Sequence, residues 1–307
     1  MSDKRASLLA PRYWPAWLAF GWLRGMVTLL PWSLNLAVGR GIGRLAWRIG
    51  GKRVAIARRN VERCFPELSA SEQEDLAKRH FASLGMALFE TAAAWWLGKA
   101  RLDRHIEIVG REHLDTPLAA GKGVILVVAH TTLMELSGRF ISDMLGDQPR
   151  ALMYRPADNP VLEYIMAGNR AAKMGRLIDR NDVRGMVRGL RHGEIIWYAS
   201  DQNYAGRHSV FAPFFGIPAA TNPGTSRLAR LGRAPVIMGH VRRTSDSGRY
   251  RLHFEPPLAD FPGESVEQDA ARINAVIERW VRAAPEQYLW IHRRFKSRPR
   301  GEEPFYD

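Results

Sequence analysis

The chain has 307 residues, enough for one large or two small domains with a sizeable core, and its hydrophobic fraction of 46% excludes a disordered protein. Charge is the unusual feature: a formal net charge of +14 and a pI near 10.4, carried by 38 arginines and only 7 lysines. Such an excess implies an acidic partner, whether nucleic acid, anionic membrane, phosphorylated substrate or acidic protein, while the single cysteine, Cys64, excludes an internal disulfide and fits a reducing compartment.

Residues 13 to 39 are rich in Trp, Leu and Gly, and Arg24 divides them into uncharged stretches, Tyr13–Leu23 and Gly25–Gly39. Each falls short of the roughly 20 residues that a spanning helix needs. Trp14, Trp17, Trp22 and Trp32 suit the headgroup level of a bilayer. Residues 1–39 therefore read as a membrane anchor, interfacial or at most one imperfect span. An amphipathic helix packed on the protein's own core competes with that reading. Residues 40–307 read as the remaining domain. Arg40, Arg44, Arg48 and Lys52 follow at intervals of four, which predicts a basic stripe on one helix face, suited to anionic lipid. The run Gly41–Ala46 (GIGRLA) imitates a dinucleotide-binding loop, but it follows helix-like sequence and opens no βαβ unit.

Ser69 and Glu72 form a capping box that opens a helix to about Leu97. Strand and helix patterns then alternate. Strands are predicted at Ile106–Val109, Val124–Ala129, Ala151–Tyr154, Ile195–Ala199, Val236–Val241 and Tyr250–Phe254. Helices are predicted at Glu112–Ala120, Leu133–Leu145, Asn159–Met174, Val183–Arg191 and Val266–Ala283. The alternation argues an α/β fold, a mostly parallel sheet with flanking helices, preceded by a helical N-terminal membrane-anchoring part.

The chemistry centres on Val124–Glu135, VILVVAHTTLME. A buried strand running into His130 places the imidazole at the carboxyl end of the sheet, where open α/β folds bind ligands. Glu135, on the next helix's first turn, is expected to fold back on one ring nitrogen and hold the tautomer. A capping histidine followed by a solvated glutamate fits the same residues. Arg155 leaves the next strand before a proline and could hold an oxyanion or phosphate, or be a surface arginine at a turn. Asp201 and Gln202 close a further strand as possible substrate-binding residues, or as turn chemistry. Phe211–Phe215 (FAPFF) suits an acyl-chain pocket or simple core. Near the end, APEQYLWIHRRFKSRP interleaves Tyr288 and Trp290 with Arg293, Arg294, Lys296 and Arg298, a pattern open to nucleic acid or a membrane phosphate surface. GxSxG, GxxxxGK[ST], HExxH and paired CxxC motifs are missing.

Several segments together resemble the lipid A biosynthesis acyltransferases, the lauroyl and myristoyl transferases of Gram-negative bacteria. They are Asn60–Leu68, His130–Glu135, Tyr154–Pro160, Trp197–Gln202, Phe211–Gly216 and Ala284–Lys296, in family order and covering nearly the whole chain after about residue 20. The terminal segment and Asn159 look more like the lauroyl than the myristoyl branch. The resemblance implies a glycerolipid-acyltransferase-like fold without that superfamily's Phe-Pro-Glu-Gly phosphate motif. It also implies acyl transfer from an acyl carrier protein thioester to a hydroxyacyl chain of a Kdo-bearing lipid A precursor, on the cytoplasmic face of the inner membrane. His130 would be the general base, Glu135 would orient it, and Arg155 would bind the oxyanion or a phosphate. No metal or cofactor is required. A nucleic-acid-binding protein of the same charge would leave the His130–Glu135 pair without a role. A basic membrane scaffold without chemistry, or an acyltransferase for another lipid, is the remaining alternative.

Overall fold

The computed structural model describes residues 8–206 and 208–306. Helices α1 (Trp14–Leu29), α2 (Trp32–Ile49) and α3 (Gly51–Cys64) pack on a long helix, α4 (Ala70–Trp96). The capping box forms as expected: Ser69 Oγ accepts from the Glu72 amide at 3.3 Å, and the Glu72 carboxylate accepts from the Ser69 amide at 2.8 Å. At the other end of α4, Arg139 donates to the carbonyls of Ala94 and Leu97, each at 3.0 Å. Lys173 donates to Trp95 O, so the orphan carbonyls of the last turn find cations.

Helix α2 meets α4 backbone to backbone. A Cβ on Gly43 would lie 2.0 Å from the Phe81 carbonyl oxygen, and one on Gly85 would lie 2.0 Å from that of Gly39. Gly43 of the GIGRLA stretch thus belongs, with Gly39 and Gly85, to a close-packing contact where only glycine lets the two helix backbones approach, whereas Gly41 meets open space. Helix α2 runs unbroken across residues 39 and 40 and stops at Ile49, before Gly50 and Gly51, the latter at φ +44°. The basic stripe is shorter than its four-residue spacing predicted. Arg40 pairs with Asp246 at 3.2 Å, Arg44 and Arg48 are exposed, and Lys52 belongs to α3 beyond the glycine break. No described helix is long and apolar enough to cross a membrane. Helix α1 buries Val27 but exposes Leu18 (74%), Trp14 (58%), Leu29 and Trp22.

Seven strands form one sheet in the order β1-β9-β8-β2-β5-β3-β4. They are β1 (Ile106–Val109), β2 (Val124–Val128), β3 (Arg150–Tyr154), β4 (Arg176–Asp179), β5 (Ile195–Ala199), β8 (Val236–Ser245) and β9 (Arg249–Phe254). The five from β8 to β4 are mutually parallel; β9 turns back on β8 and carries β1 beside it. Covering helices are α5 (Glu112–Ala119), α6 (Met134–Leu145), α7 (Pro160–Lys173), α8 (Val183–Arg191), α9 (Gly224–Gly232) and α10 (Val266–Ala283).

Strand β2 is buried at every position. Its alternate residues serve two cores: Ile125 and Val127 face one with α8–α10, while Val124, Leu126 and Val128 face the other with α4, α6 and α7. Strand β4, helix α9 and an antiparallel hairpin of β6 (Val210–Phe214) and β7 (Ile217–Thr221) were not anticipated. The hairpin contains FAPFF, whose Phe214 and Phe215 are buried against Trp290 and Phe295. That motif is core.

Candidate active site

Strands β2 and β5 pair in parallel with Val128 opposite Ala199. Two residues further on, His130 and Asp201 leave the sheet side by side. Asp201, 1% exposed, accepts the His130 backbone N–H on Oδ2 at 2.8 Å and meets Nδ1 with Oδ1 at 2.6 Å. Burial pushes the Asp201 carboxyl up, but the charge and two hydrogen bonds of His130, aided by Arg294, outweigh it and bring it below the usual carboxylate range. An ionised carboxylate only accepts, so Nδ1 carries the imidazole proton and Nε2 carries the lone pair. No described residue hydrogen-bonds to Nε2. The ring is therefore set to take a proton there.

The expected partnership of His130 with Glu135 does not form. Glu135 sits on the first turn of α6 but points into the helical layer. It accepts from Trp95 Nε1 at 2.8 Å and from the Arg170 guanidinium, with Nε at 3.0 Å and Nη2 also on Oε1. Five residues of separation allow a return to the histidine; a half-buried arginine 35 residues away decides otherwise, because an uncompensated buried carboxylate is costly. Glu135 ties α4, α6 and α7 together just behind the His130 loop. No spacing in the sequence marks Arg170.

Helix α7 also reaches the third candidate. Glu163 accepts from the Ala157 amide at 2.7 Å and from the Tyr154 hydroxyl, which fixes the loop bearing Arg155. Arg155 itself is 64% exposed and touches Asp158 at 3.3 Å, so its guanidinium is available to an anion arriving from solution. Gln202 contributes its backbone carbonyl, which accepts from Arg294 at 3.4 Å.

The C-terminal segment, expected to offer a basic aromatic surface, is largely interior. Tyr288 and Trp290 are buried, and Arg294 (2% exposed) donates to Ala220 O at 2.7 Å and Thr221 Oγ1 at 2.8 Å. Arg293 and Lys296 remain exposed. The segment straps the His130 loop: Thr132 N donates to Gln287 O at 2.8 Å, and Leu289 N donates to His130 O at 3.1 Å. Asn60 of α3 anchors the strap by donating to Trp290 O at 2.7 Å and His292 O at 2.9 Å. Behind the loop, Ser83 meets Thr132 at 2.8 Å, and Glu90 holds Arg243 in a buried bidentate pair at 2.8 and 2.7 Å.

A parallel sheet ending in a buried carboxylate–histidine pair with an available ring nitrogen defines a protein equipped for general-base group transfer. A family model described as bacterial lipid A biosynthesis acyltransferase matches residues 1–297, and the chain belongs to that family. It is 40% identical to the lipid A biosynthesis lauroyltransferase of Escherichia coli (strain K12) over 296 residues, 96% of this chain and 95% of the relative. The palmitoleoyltransferase of the same organism is 39% identical over 97% of this chain and 96% of its own length. The myristoyltransferase is 29% identical over 95% and 90% respectively.

Proposed function

We propose that this protein moves a fatty acyl group from an acyl carrier protein thioester to the hydroxyl of a 3-hydroxyacyl chain on a Kdo-bearing lipid A precursor. The observation that carries the reading is the His130–Asp201 pair with Nε2 open, in a chain of this family over nearly its full length. His130 removes the hydroxyl proton as that oxygen attacks the thioester, and Asp201 stabilises the imidazolium. Glu135 acts through α6, positioning the His130 loop. Arg155 grips a phosphate or the developing oxyanion from its exposed loop. The acyl carrier protein and the lipid A precursor, both anionic, account for the +14 charge.

The membrane belongs to the same proposal. Trp14, Leu18 and Trp22 recur along one exposed side of α1, an apolar face suited to lying in the interface on the cytoplasmic side of the inner membrane. Between α1 and α7 lies an open cavity of about 510 Å³, lined mostly by Trp17, Phe20, Trp96, Tyr164 and Ile165 with Arg24, which suits a lipid chain. Lauroyl is the proposed donor, although the lauroyl and palmitoleoyl relatives are nearly equal in identity. The test incubates the protein and a Kdo-bearing precursor with a panel of acyl carrier protein thioesters and identifies the product by mass. A gain of one lauroyl group is expected. No acyl gain with any donor would refute the reading.

A further inference from the structure

A second imidazole stands beside the catalytic pair. His292 follows the strap residue Leu289, whose amide donates to His130 O, and His292 N donates back to Leu289 O at 3.1 Å. Its ring is held by the β5 exit segment that also supplies Asp201. The backbone N–H of Asn203, two residues beyond Asp201, donates to His292 Nε2 at 3.2 Å. Asn203 is itself fixed by two bonds to Ser297, at 3.2 Å through Nδ2 and 2.9 Å through Oδ1. Asn60 holds the His292 carbonyl, and Arg53 holds that of Ile291 at 3.1 Å.

The tautomer follows from the hydrogen bond. A backbone amide can only donate, so Nε2 carries a lone pair and the ring proton sits on Nδ1. No described residue takes that Nδ1–H. Burial first, then the charge of His130, with Arg294 and Arg53 in the same sense and Asp201 opposing, bring the ring down to about 4. His292 is thus a neutral donor, whereas His130 presents a lone pair.

Resting on the acyl-transfer reading, we propose that His292 is a second catalytic histidine whose Nδ1–H donates to the thioester carbonyl oxygen. The acceptor hydroxyl oxygen forms a bond to the carbonyl carbon while its proton passes to His130 Nε2. The C=O electron pair moves onto oxygen, and the resulting oxyanion is held by His292 Nδ1–H. Collapse restores C=O, breaks the C–S bond, and the departing sulfur takes the proton back from His130. Arg155, exposed and paired with Asp158, is left to bind a substrate phosphate.

The test compares purified His292→Phe, His292→Asn and His130→Ala with wild type in the same transfer assay. Both variants remove the Nε2 acceptor of the Asn203 N–H, but only asparagine keeps an N–H near the site of Nδ1. The Phe variant should lose about 10²–10³-fold in kcat with little change in KM, and Asn should recover at least about tenfold of that loss. A folded Phe variant within about tenfold of wild type, or equal losses in Phe and Asn, would overturn the assignment. Should the variants not fold, ring-¹⁵N NMR of wild type decides. A ketone analogue of acyl-pantetheine should move the His292 Nδ1 resonance and its carbonyl-free thioether should not; an unmoved resonance overturns the proposal. Retained transfer in His130→Ala would instead defeat the underlying general-base reading.

Discussion

Replacing Asp201 by Asn changes almost no volume but forces a choice on His130, the proposed general base. The two carboxylate oxygens accept from two N–H groups of His130, at 2.8 and 2.6 Å, in a site 1% exposed. An amide offers one acceptor and one donor. If its oxygen faces the ring, its NH₂ opposes the backbone N–H, and a buried donor is left unmet at about 1–3 kcal/mol. If its oxygen faces the backbone, both bonds survive, but the NH₂ now donates to Nδ1 and drives the ring proton to Nε2. The second arrangement wins because it leaves nothing unpaired. The imidazole then points a proton where it needs a lone pair, and the imidazolium has lost its counter-charge. Asp201→Asn should therefore melt near the wild-type temperature yet lose about 10²–10⁴-fold in kcat. Raising the pH should not restore it, since the defect is a tautomer and not a charge. Initial rates of lipid product formation, measured by mass at saturating donor, and thermal unfolding check the two halves. A folded variant within about tenfold of wild-type kcat would refute the reasoning.

Glu135→Gln should behave in the opposite way. Trp95 keeps its acceptor, but the buried partner of Arg170 is lost, which costs up to about 3–5 kcal/mol, and the unfolding temperature should drop together with activity. The double variant with Arg170→Gln should be less than additive, and strict additivity would deny the pair its structural role. Stability should also fall with acid. His80 and His240 are held down to about 4 and 3, mainly by burial, so from about pH 6.5 downward the unfolded chain binds protons that the folded chain refuses. For fully buried His80 that removes roughly 3 kcal/mol by pH 4, and denaturant midpoints that are equal at pH 7 and pH 5 would contradict it. At the N-terminus, deleting residues 1–38 would remove the first seven of the 18 residues of α2, so point changes are cleaner. Trp14→Glu with Leu18→Glu should abolish sedimentation with anionic vesicles at high salt and leave the fold intact. Binding that persists at high salt would place the apolar contact elsewhere.

The elements themselves were largely legible in the amino-acid order. The helix Val266–Ala283 and the strand Ile195–Ala199 match residue for residue, because periodicity and caps are local properties. The capping box at Ser69 needs only a hydroxyl and a carboxylate three residues apart. The hairpin of β6 and β7 escaped because Pro213 and Pro218 argue against strands, yet the two prolines face each other across the pair. Helix α9 escaped because Gly224 and Gly232 bound a run of only nine residues.

His130 was identifiable as a strand-exit residue from the apolar run before it, and its family setting from motifs spread along the chain. Its carboxylate was not. Glu135 lies five residues away and Asp201 seventy-one, and proximity in sequence favoured the wrong one. Only the parallel register of β2 on β5 brings Val128 opposite Ala199, and hence His130 beside Asp201. The same holds for Arg170 against Glu135, and for Asn203 against His292. A side chain's nearest neighbours in sequence are set by local geometry, but its hydrogen-bond partner is set by which buried charge needs it most. That need exists only once the strands have paired and water has left.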